Sequence, residues 1–537
     1  MQKKYFIAAF LFLFYLNSFS QNMYVKERLE TYKPVTLTAD LSWLSENEKK
    51  MLPLLIEAAD IMDELFWLQN YGDKDELLSG ITDEYERKFI LINYGPWDQL
   101  DGEKPFIHGV GDKPKGANFY PNNMTIEEFQ KFDDKTKTSP YTMIDRDENN
   151  KLRSVPYSVF FGPKLKKAAY LLKSAAELAD DRGLKNYLNL RAEALLDDNY
   201  QPSDFTWMDM KTSNIDFIVG PIENYTDGLF GYKTAFESFV LIKDREWSKN
   251  LEKFTALLPS LQKGLPVDDV YKQETPGSES DMNVYDAIYY AGDCNAGSKT
   301  IAINLPNDEE VQIKKGARRL QLKNIMKAKF DNIMIPISEI LIAREQRKYV
   351  KFNAFFENVM FHEVAHGLGI KNTVNGKGVV RDALKEQYSA LEEGKADILG
   401  LYLVTELYEM GELTEGEVMD NYVTFLAGIF RSCRFGAASA HGKANMVRFY
   451  YFQEKGAFTR NPDGTYSVNF DKMKDAVISS VRQIIKIQGD GDYDAAKALV
   501  EKDGFIKDEL KSDLQKINDA KVPVDIVFNM GLDYLKF

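Results

Sequence analysis

The densest concentration of metal-binding chemistry lies in Phe361-His362-Glu363-Val364-Ala365-His366-Gly367, an H-E-x-x-H pattern in a chain with only four histidines. On an α-helix, residues four apart sit one turn above each other, about 6 Å along the axis. His362 and His366 can therefore hold one metal ion, zinc by the chemistry of the motif, through two imidazole nitrogens. Glu363 lies about 100° round the helix, where its carboxylate can reach a metal-bound water rather than the metal. The bland alternative is a chance match on a helix carrying two exposed histidines.

A catalytic zinc takes three protein ligands and keeps one position open. A third histidine would have to be His108 or His441. A better source is Leu391-Glu392-Glu393-Gly394-Lys395-Ala396-Asp397, which leads into the apolar run Ile398 to Val404. Glu393 and Asp397 are four apart and share a helical face. One can ligate the metal while the other accepts an imidazole N–H. The competing reading is a solvated acidic start to a helix, where carboxylates complement the dipole.

These two motifs, in this order, resemble those of the dipeptidyl peptidase III family of zinc exopeptidases, and most of all its branch that plants carry behind a Nudix domain. The resemblance rests on His362-Glu363-Val364-Ala365-His366 and on Glu392-Glu393-Gly394-Lys395-Ala396-Asp397. It also rests on Gly220-Pro221-Ile222-Glu223-Asn224-Tyr225, Ile303-Asn304-Leu305-Pro306-Asn307, and Ala440-His441-Gly442. Lys521-Val522-Pro523-Val524-Asp525-Ile526 looks like the plant-type C-terminal stretch. The likeness covers roughly residues 200–530. It implies zinc on His362, His366 and Glu393, with Glu392 and Asp397 as outer partners and Glu363 as general base. It further implies a substrate ammonium held by Glu223, Asn304 and Asn307, with Tyr225 and His441 as donors to the developing oxyanion.

The implied activity is release of dipeptides from the N-terminus of short peptides, with one zinc ion per chain. Three departures stand out. The gap from His366 to Glu393 is shorter than in the animal enzymes, which implies trimmed loops over the cleft. The usual family motif has one more residue between the histidines, and this chain ends soon after the zinc lobe without the family's returning segment. Three other activities stay open: a zinc aminopeptidase, a thermolysin-like endopeptidase (which shares the Glu-x-x-x-Asp spacing) and a peptide-binding protein with weak turnover.

Positioning these groups calls for an α+β fold of two lobes with a wide cleft. One lobe is mainly helical and binds zinc; the other is mixed, with a small β-barrel or sheet. The expected division is 21–243 with 288–332 for the mixed lobe, and 244–287 with 333–537 for the zinc lobe. Ser45-Glu46-Asn47-Glu48 reads as a capping box before an amphipathic helix with Met51, Leu54, Leu55, Ala58, Ile61, Met62 and Leu65 on its apolar face. Residues 70–160 read as short helices and loops. Pro163 to Ala179, Leu184 to Leu196 and Trp247 to Leu261 read as helices. Strands are expected at Phe217-Ile218-Val219, Phe239 to Ile242 and Thr300 to Leu305. Asp227 reads as a turn residue and His108 as a surface one.

At 537 residues with 44% apolar and 13% aromatic side chains, the chain can fill two cores. A net charge of −14 without a long basic stripe speaks against nucleic acid as a partner. Met1-Gln2-Lys3-Lys4, the apolar run Tyr5 to Leu16, and Ser18 and Ser20 before Gln21 have the layout of a secretory signal peptide over residues 1–20. The expected product is a monomeric protein, without stable membrane insertion after cleavage, in the periplasm or outside a Gram-negative cell. Cys294 and Cys433, the only cysteines, read as two free, buried thiols.

Overall fold

Ser45 opens the first long helix by the expected reciprocal cap. Its hydroxyl accepts from the Glu48 N–H at 3.0 Å, and the Glu48 carboxylate accepts from the Ser45 N–H at 2.9 Å. The computed structural model describes residues 23–274 and 281–536; the expected signal peptide lies outside them. The fold is α+β, in two units. The first comprises residues up to Asp244, Asn283–Ile325 and Asp525 onward; the second comprises Arg245–Met282 and Met326–Val524. Among the described residues no helix is long and apolar enough to cross a membrane.

In the first unit, β1 (Tyr32–Thr36) is followed by α1 (Glu46–Asn70), α2 (Gly162–Leu178) and α3 (Arg182–Asp197). Helix α1 packs on α2, and buries Met51, Leu55, Ala58, Ile61, Met62 and Leu65 as its periodicity predicts. Leu54 is only half-buried, and Leu52 and Ile56 take the core positions beside it, so the apolar face is rotated slightly from the expected one. A five-stranded sheet follows, built from β2 (Ile215–Glu223), β3 (Ala235–Lys243), β4 (Asp281–Gly292), β5 (Ala302–Leu305) and β6 (Arg318–Leu322) in the order β2-β3-β4-β6-β5. Strand β3 is antiparallel to both β2 and β4, and β5 is antiparallel to β6. The lobe therefore carries a sheet, whose two edge strands are linked where Asn307 Nδ2 donates to the Ile222 carbonyl at 3.1 Å.

Strand β2 runs on through Gly220 and Pro221 to Glu223, beyond the expected stop at Val219. Pro221 removes a ladder donor, which an edge strand tolerates. Strand β5 starts at Ala302, two residues later than expected.

Four expected boundaries move, the first by one residue, since Asp244 belongs to the first unit. Residues 283–287 belong to the first unit because β4 pairs with β3 from Lys243–Tyr285 onward. Met326 to Asn332 belong to the second unit. The chain end also returns: β7 (Asp525–Asn529) pairs in parallel with β1, from Tyr32–Asp525 to Thr36–Asn529. A returning segment is thus present, and the zinc lobe stops at Val524 instead of the last residue.

The second unit contains α4 (Arg245–Lys263), α5 (Phe352–His366), α6 (Tyr388–Glu409), α7 (Val418–Cys433), α8 (Ala440–Glu454) and α9 (Phe470–Gly489). Helix α5 is apolar on most faces and correspondingly buried, with Phe355, Phe356, Met360 and Phe361 in the core. Fully burying one such ring is worth about 1.5–3 kcal/mol. Gly367 caps α5 just after His366. Helix α6 crosses α5 at Gly400, where a Cβ would stand 2.8 Å from the His362 nitrogen and 2.9 Å from the Phe361 carbonyl carbon. The absence of that side chain lets the two helices meet at the motif itself.

Gly400→Ala is accordingly expected to destabilise the protein by about 1–3 kcal/mol, read as a lower thermal midpoint. Gly394→Ala on the same helix would meet only side-chain carbons, at 3.6 Å or more, and is expected to be neutral or stabilising. Equal midpoints for the two variants would refute this account of the crossing.

Candidate metal centre

One turn apart on α5, His362 and His366 bring their Nε2 atoms to 3.2 Å, with the rings perpendicular. From α6, Glu393 Oε2 comes within 3.4 Å of His362 Nε2 and 3.8 Å of His366 Nε2. Two donors about 2.0–2.1 Å from a shared ion at the tetrahedral angle stand about 3.3–3.4 Å apart. The three observed separations bracket that edge. Glu393 Oε2 is buried and accepts no well-directed hydrogen bond. Two imidazole nitrogens and one carboxylate oxygen form an N/N/O set suited to zinc, and these residues fit the metal.

The far sides of the rings are fixed by carboxylates. His362 Nδ1 donates to Asp397 Oδ1 at 2.5 Å, and His366 Nδ1 donates to Glu392 Oε1 at 3.0 Å. Protonation at Nδ1 leaves both Nε2 lone pairs directed at the shared point. Of the two carboxylates left open by helical spacing, Glu393 meets both Nε2 atoms and Asp397 takes the outer place.

The charges around these groups are strongly coupled. Burial alone would push the His362 imidazole down, but Asp397, Glu393 and Glu363 outweigh it and raise it to about 10. Burial opposes ionisation of Glu392, yet His366 and Lys395 pull it down to about 2. Glu393 is likewise held well below the usual carboxylate range, against burial, by His362 and His441. Such a site attracts positive charge, so protons and a metal ion compete for the imidazoles.

His441, near the start of α8, is exposed, with its Nε2 3.0 Å from Glu393 Oε2 and its ring 6.2 Å from that of His362. Contact with Glu393 raises its basicity. Glu363, half-buried beside His362, is the remaining carboxylate of the α5 motif.

In the first unit, Glu223, Tyr225, Asn304 and Asn307 line one cavity of about 1110 Å³. Glu223 is half-buried at the end of β2, and burial raises its carboxyl despite a hydrogen bond from Asn307. Asn304 and Asn307 are exposed, and Tyr225 is 82% exposed, its phenol pushed up first by Glu223. Asp227 is more than a turn residue. Its buried carboxylate accepts from the backbone N–H groups of Leu229, Phe230, Tyr232 and Lys233 and from the Tyr120 hydroxyl, pinning the loop that follows Tyr225.

Comparison with known proteins places the chain among peptidases. Residues 135–379 match the model of peptidase family M49. The chain is 37% identical, across 95% of its own length and 74% of the relative's, to Nudix hydrolase 3 of Arabidopsis thaliana. Among solved structures, DPP III from Caldithrix abyssi superposes with a TM-score of 0.91 at 41% identity, over 95% of this chain and 99% of that one. Dipeptidyl-peptidase III from Corallococcus sp. strain EGB gives 0.79 at 37%, over 94% and 96%.

The chain belongs to peptidase family M49.

As an M49 member it is a metallopeptidase. Sequence reasoning missed several groups around the sites of this peptidase. Lys395, 3% exposed, contacts Glu392 Oε1 at 2.8 Å, and Arg448, 1% exposed in its side chain, pairs with Asp397 Oδ2. Gln488 Nε2 donates to Glu392 Oε2 at 3.1 Å. The available signal for Arg448 was its place two turns after His441 on one helix. In the first unit, buried Glu237 and half-buried Asp293 line the same cavity as Glu223, and desolvation raises Asp293 to about 6. His108 is exposed, and Cys294 and Cys433 are free and buried, as expected.

Replacing any of His362, His366 or Glu393 by Ala is expected to abolish stoichiometric zinc binding. Asp397→Asn should weaken it by about 10–100-fold. Competition with a chromophoric chelator measures both, and zinc binding at wild-type strength in His366→Ala would rule out this ligand set.

Proposed function

We propose that this peptidase is a zinc-dependent exopeptidase that releases dipeptides from the N-terminus of short peptides, with one zinc ion held by His362, His366 and Glu393. The observation that carries the reading is the convergence of those three donor atoms, with Glu363 one residue along the same helix. When bound, the zinc supplies the Lewis acidity that lets water act as a nucleophile near neutral pH.

Glu363 takes the proton of the attacking water and returns it to the leaving amine, general acid–base work worth about 10²–10⁴ in rate. Asp397 and Glu392 keep both imidazoles in the tautomer that presents Nε2. Tyr225 and His441 are the proposed donors to the oxyanion that develops on the scissile carbonyl; one such donor typically contributes about 10²–10³ in turnover. For the free ammonium of the substrate, Glu223 supplies a carboxylate and Asn304 and Asn307 supply directional amide groups. The basic, apolar, then small-residue layout of residues 1–20 supports export to the periplasm or beyond.

The test is product analysis by mass spectrometry on an unblocked hexapeptide and its N-acetylated form. Dipeptides are expected from the first and no cleavage of the second, with activity lost on chelation and restored by zinc. Single amino acids would instead mark an aminopeptidase, and cleavage of the acetylated peptide an endopeptidase. Glu363→Gln should retain zinc and lose turnover by about 10²-fold or more; near-normal turnover would remove Glu363 from the chemistry.

A further inference from the structure

Both carboxylates behind the histidines are themselves held by buried cations. Asp397 uses Oδ1 for His362 and Oδ2 for the Arg448 guanidinium, which reaches across from α8. Arg448 Nη2 also donates to Asn445 Oδ1 at 2.8 Å, and Asn445 Nδ2 donates to Ser432 Oγ at 2.7 Å on α7. The guanidinium is thus tied to α6, to its own helix and, through Asn445, to α7.

Glu392 is fixed in a parallel way. Its Oε1 accepts from His366 and from Lys395 Nζ, and its Oε2 from Gln488 on α9. Lys395 Nζ also donates to the Leu368 carbonyl at 2.8 Å, just past the end of α5. The Lys395 chain runs where a Cβ on Gly369 would meet its Cδ at 3.2 Å, and Gly369 has a φ of +88°.

We propose that Arg448 and Lys395 are positioning residues for the metal, each acting through one carboxylate: Arg448 through Asp397 on His362, and Lys395 through Glu392 on His366. The physical reason is rotational freedom. A carboxylate held only by one imidazole N–H can turn about its side-chain torsions and take the ring with it. A second bond from a buried, immobile cation removes that freedom and fixes where each Nε2 lone pair points. Partners of metal-bound histidines of this kind typically influence affinity by about 10–100-fold. Charge supports the same arrangement, because two fixed cations offset two of the three carboxylates, Glu392, Glu393 and Asp397, packed around the rings. This inference rests on the zinc reading above.

The experiment is a pair of double-mutant cycles on the full chain, Arg448→Met with Asp397→Asn and Lys395→Met with Glu392→Gln. The readouts are zinc affinity by chelator competition and the visible spectrum of the cobalt-substituted protein, both taken well below the thermal midpoint. Each Met variant is expected to bind zinc about 10–100-fold more weakly and to show an altered cobalt spectrum. Each double variant should be no worse than its carboxylate single variant, because the cation acts through that carboxylate.

A folded Met variant with wild-type zinc affinity and cobalt spectrum overturns the proposal, as does full additivity in either cycle. A lower thermal midpoint with both metal readouts unchanged also overturns it, since it marks a purely structural role. If Arg448→Met does not fold, the Lys395 cycle decides by the same criteria. Wild-type protein that binds no zinc would defeat the zinc reading itself, whereas zinc-binding wild type with insensitive variants defeats only this inference.

Discussion

Three atoms that all carry lone pairs, two imidazole nitrogens and a carboxylate oxygen, are enclosed within 3.2–3.8 Å of one another. With both imidazoles neutral, nothing in their own chemistry draws them together; a proton on His362 or a metal ion does. A buried polar atom without a partner costs roughly 1–3 kcal/mol, and more when charged. The surrounding structure forces the approach. Gly400 lets α6 lie against the backbone of His362, and outer carboxylates orient both rings. Buried Lys395 and Arg448 then hold those carboxylates. The arrangement is favourable when a cation, a proton or a metal ion, occupies the shared point.

The first unit builds its polar cavity from a sheet. Glu223 ends one edge strand, while Asn304 and Asn307 lie on and just beyond the other, yet all three line the same space. The Asn307–Ile222 hydrogen bond joins those edges, and Asp227 fixes the loop that carries Tyr225 away from β2. Carboxyl groups here are raised by burial, with Glu237 well above its ordinary value and Asp293 also lifted. A cationic group entering the cavity would favour their ionised forms, because an opposite charge stabilises the carboxylate that burial disfavours.

Much of this was legible in the sequence because it is local. Four-residue spacing on one helix puts His362 above His366 whatever the tertiary fold, and the same rule pairs Glu393 with Asp397 on one face. Which carboxylate faces the metal was not legible, since it depends on how α6 is rotated against α5. Lys395, Arg448 and Gln488 were missed because a buried polar side chain and a solvated one look alike in a sequence. Glu237 and Asp293 were hidden beside apolar strand residues. Strand β2 was expected to stop at Val219, before Gly220-Pro221, and only the strand order shows it to be an edge, where Pro is tolerated. The β1–β7 pairing joins residues almost 500 positions apart, and no local pattern announces it.

The most direct test of the central claim is zinc K-edge X-ray absorption on the wild-type protein loaded with one equivalent of zinc. The account predicts tight stoichiometric binding, with only nitrogen and oxygen neighbours near 2.0–2.1 Å and the outer-shell scattering of two imidazoles. Sulfur in the first shell, a single imidazole, or loosely held hydrated zinc would contradict the convergence of His362, His366 and Glu393 on one ion.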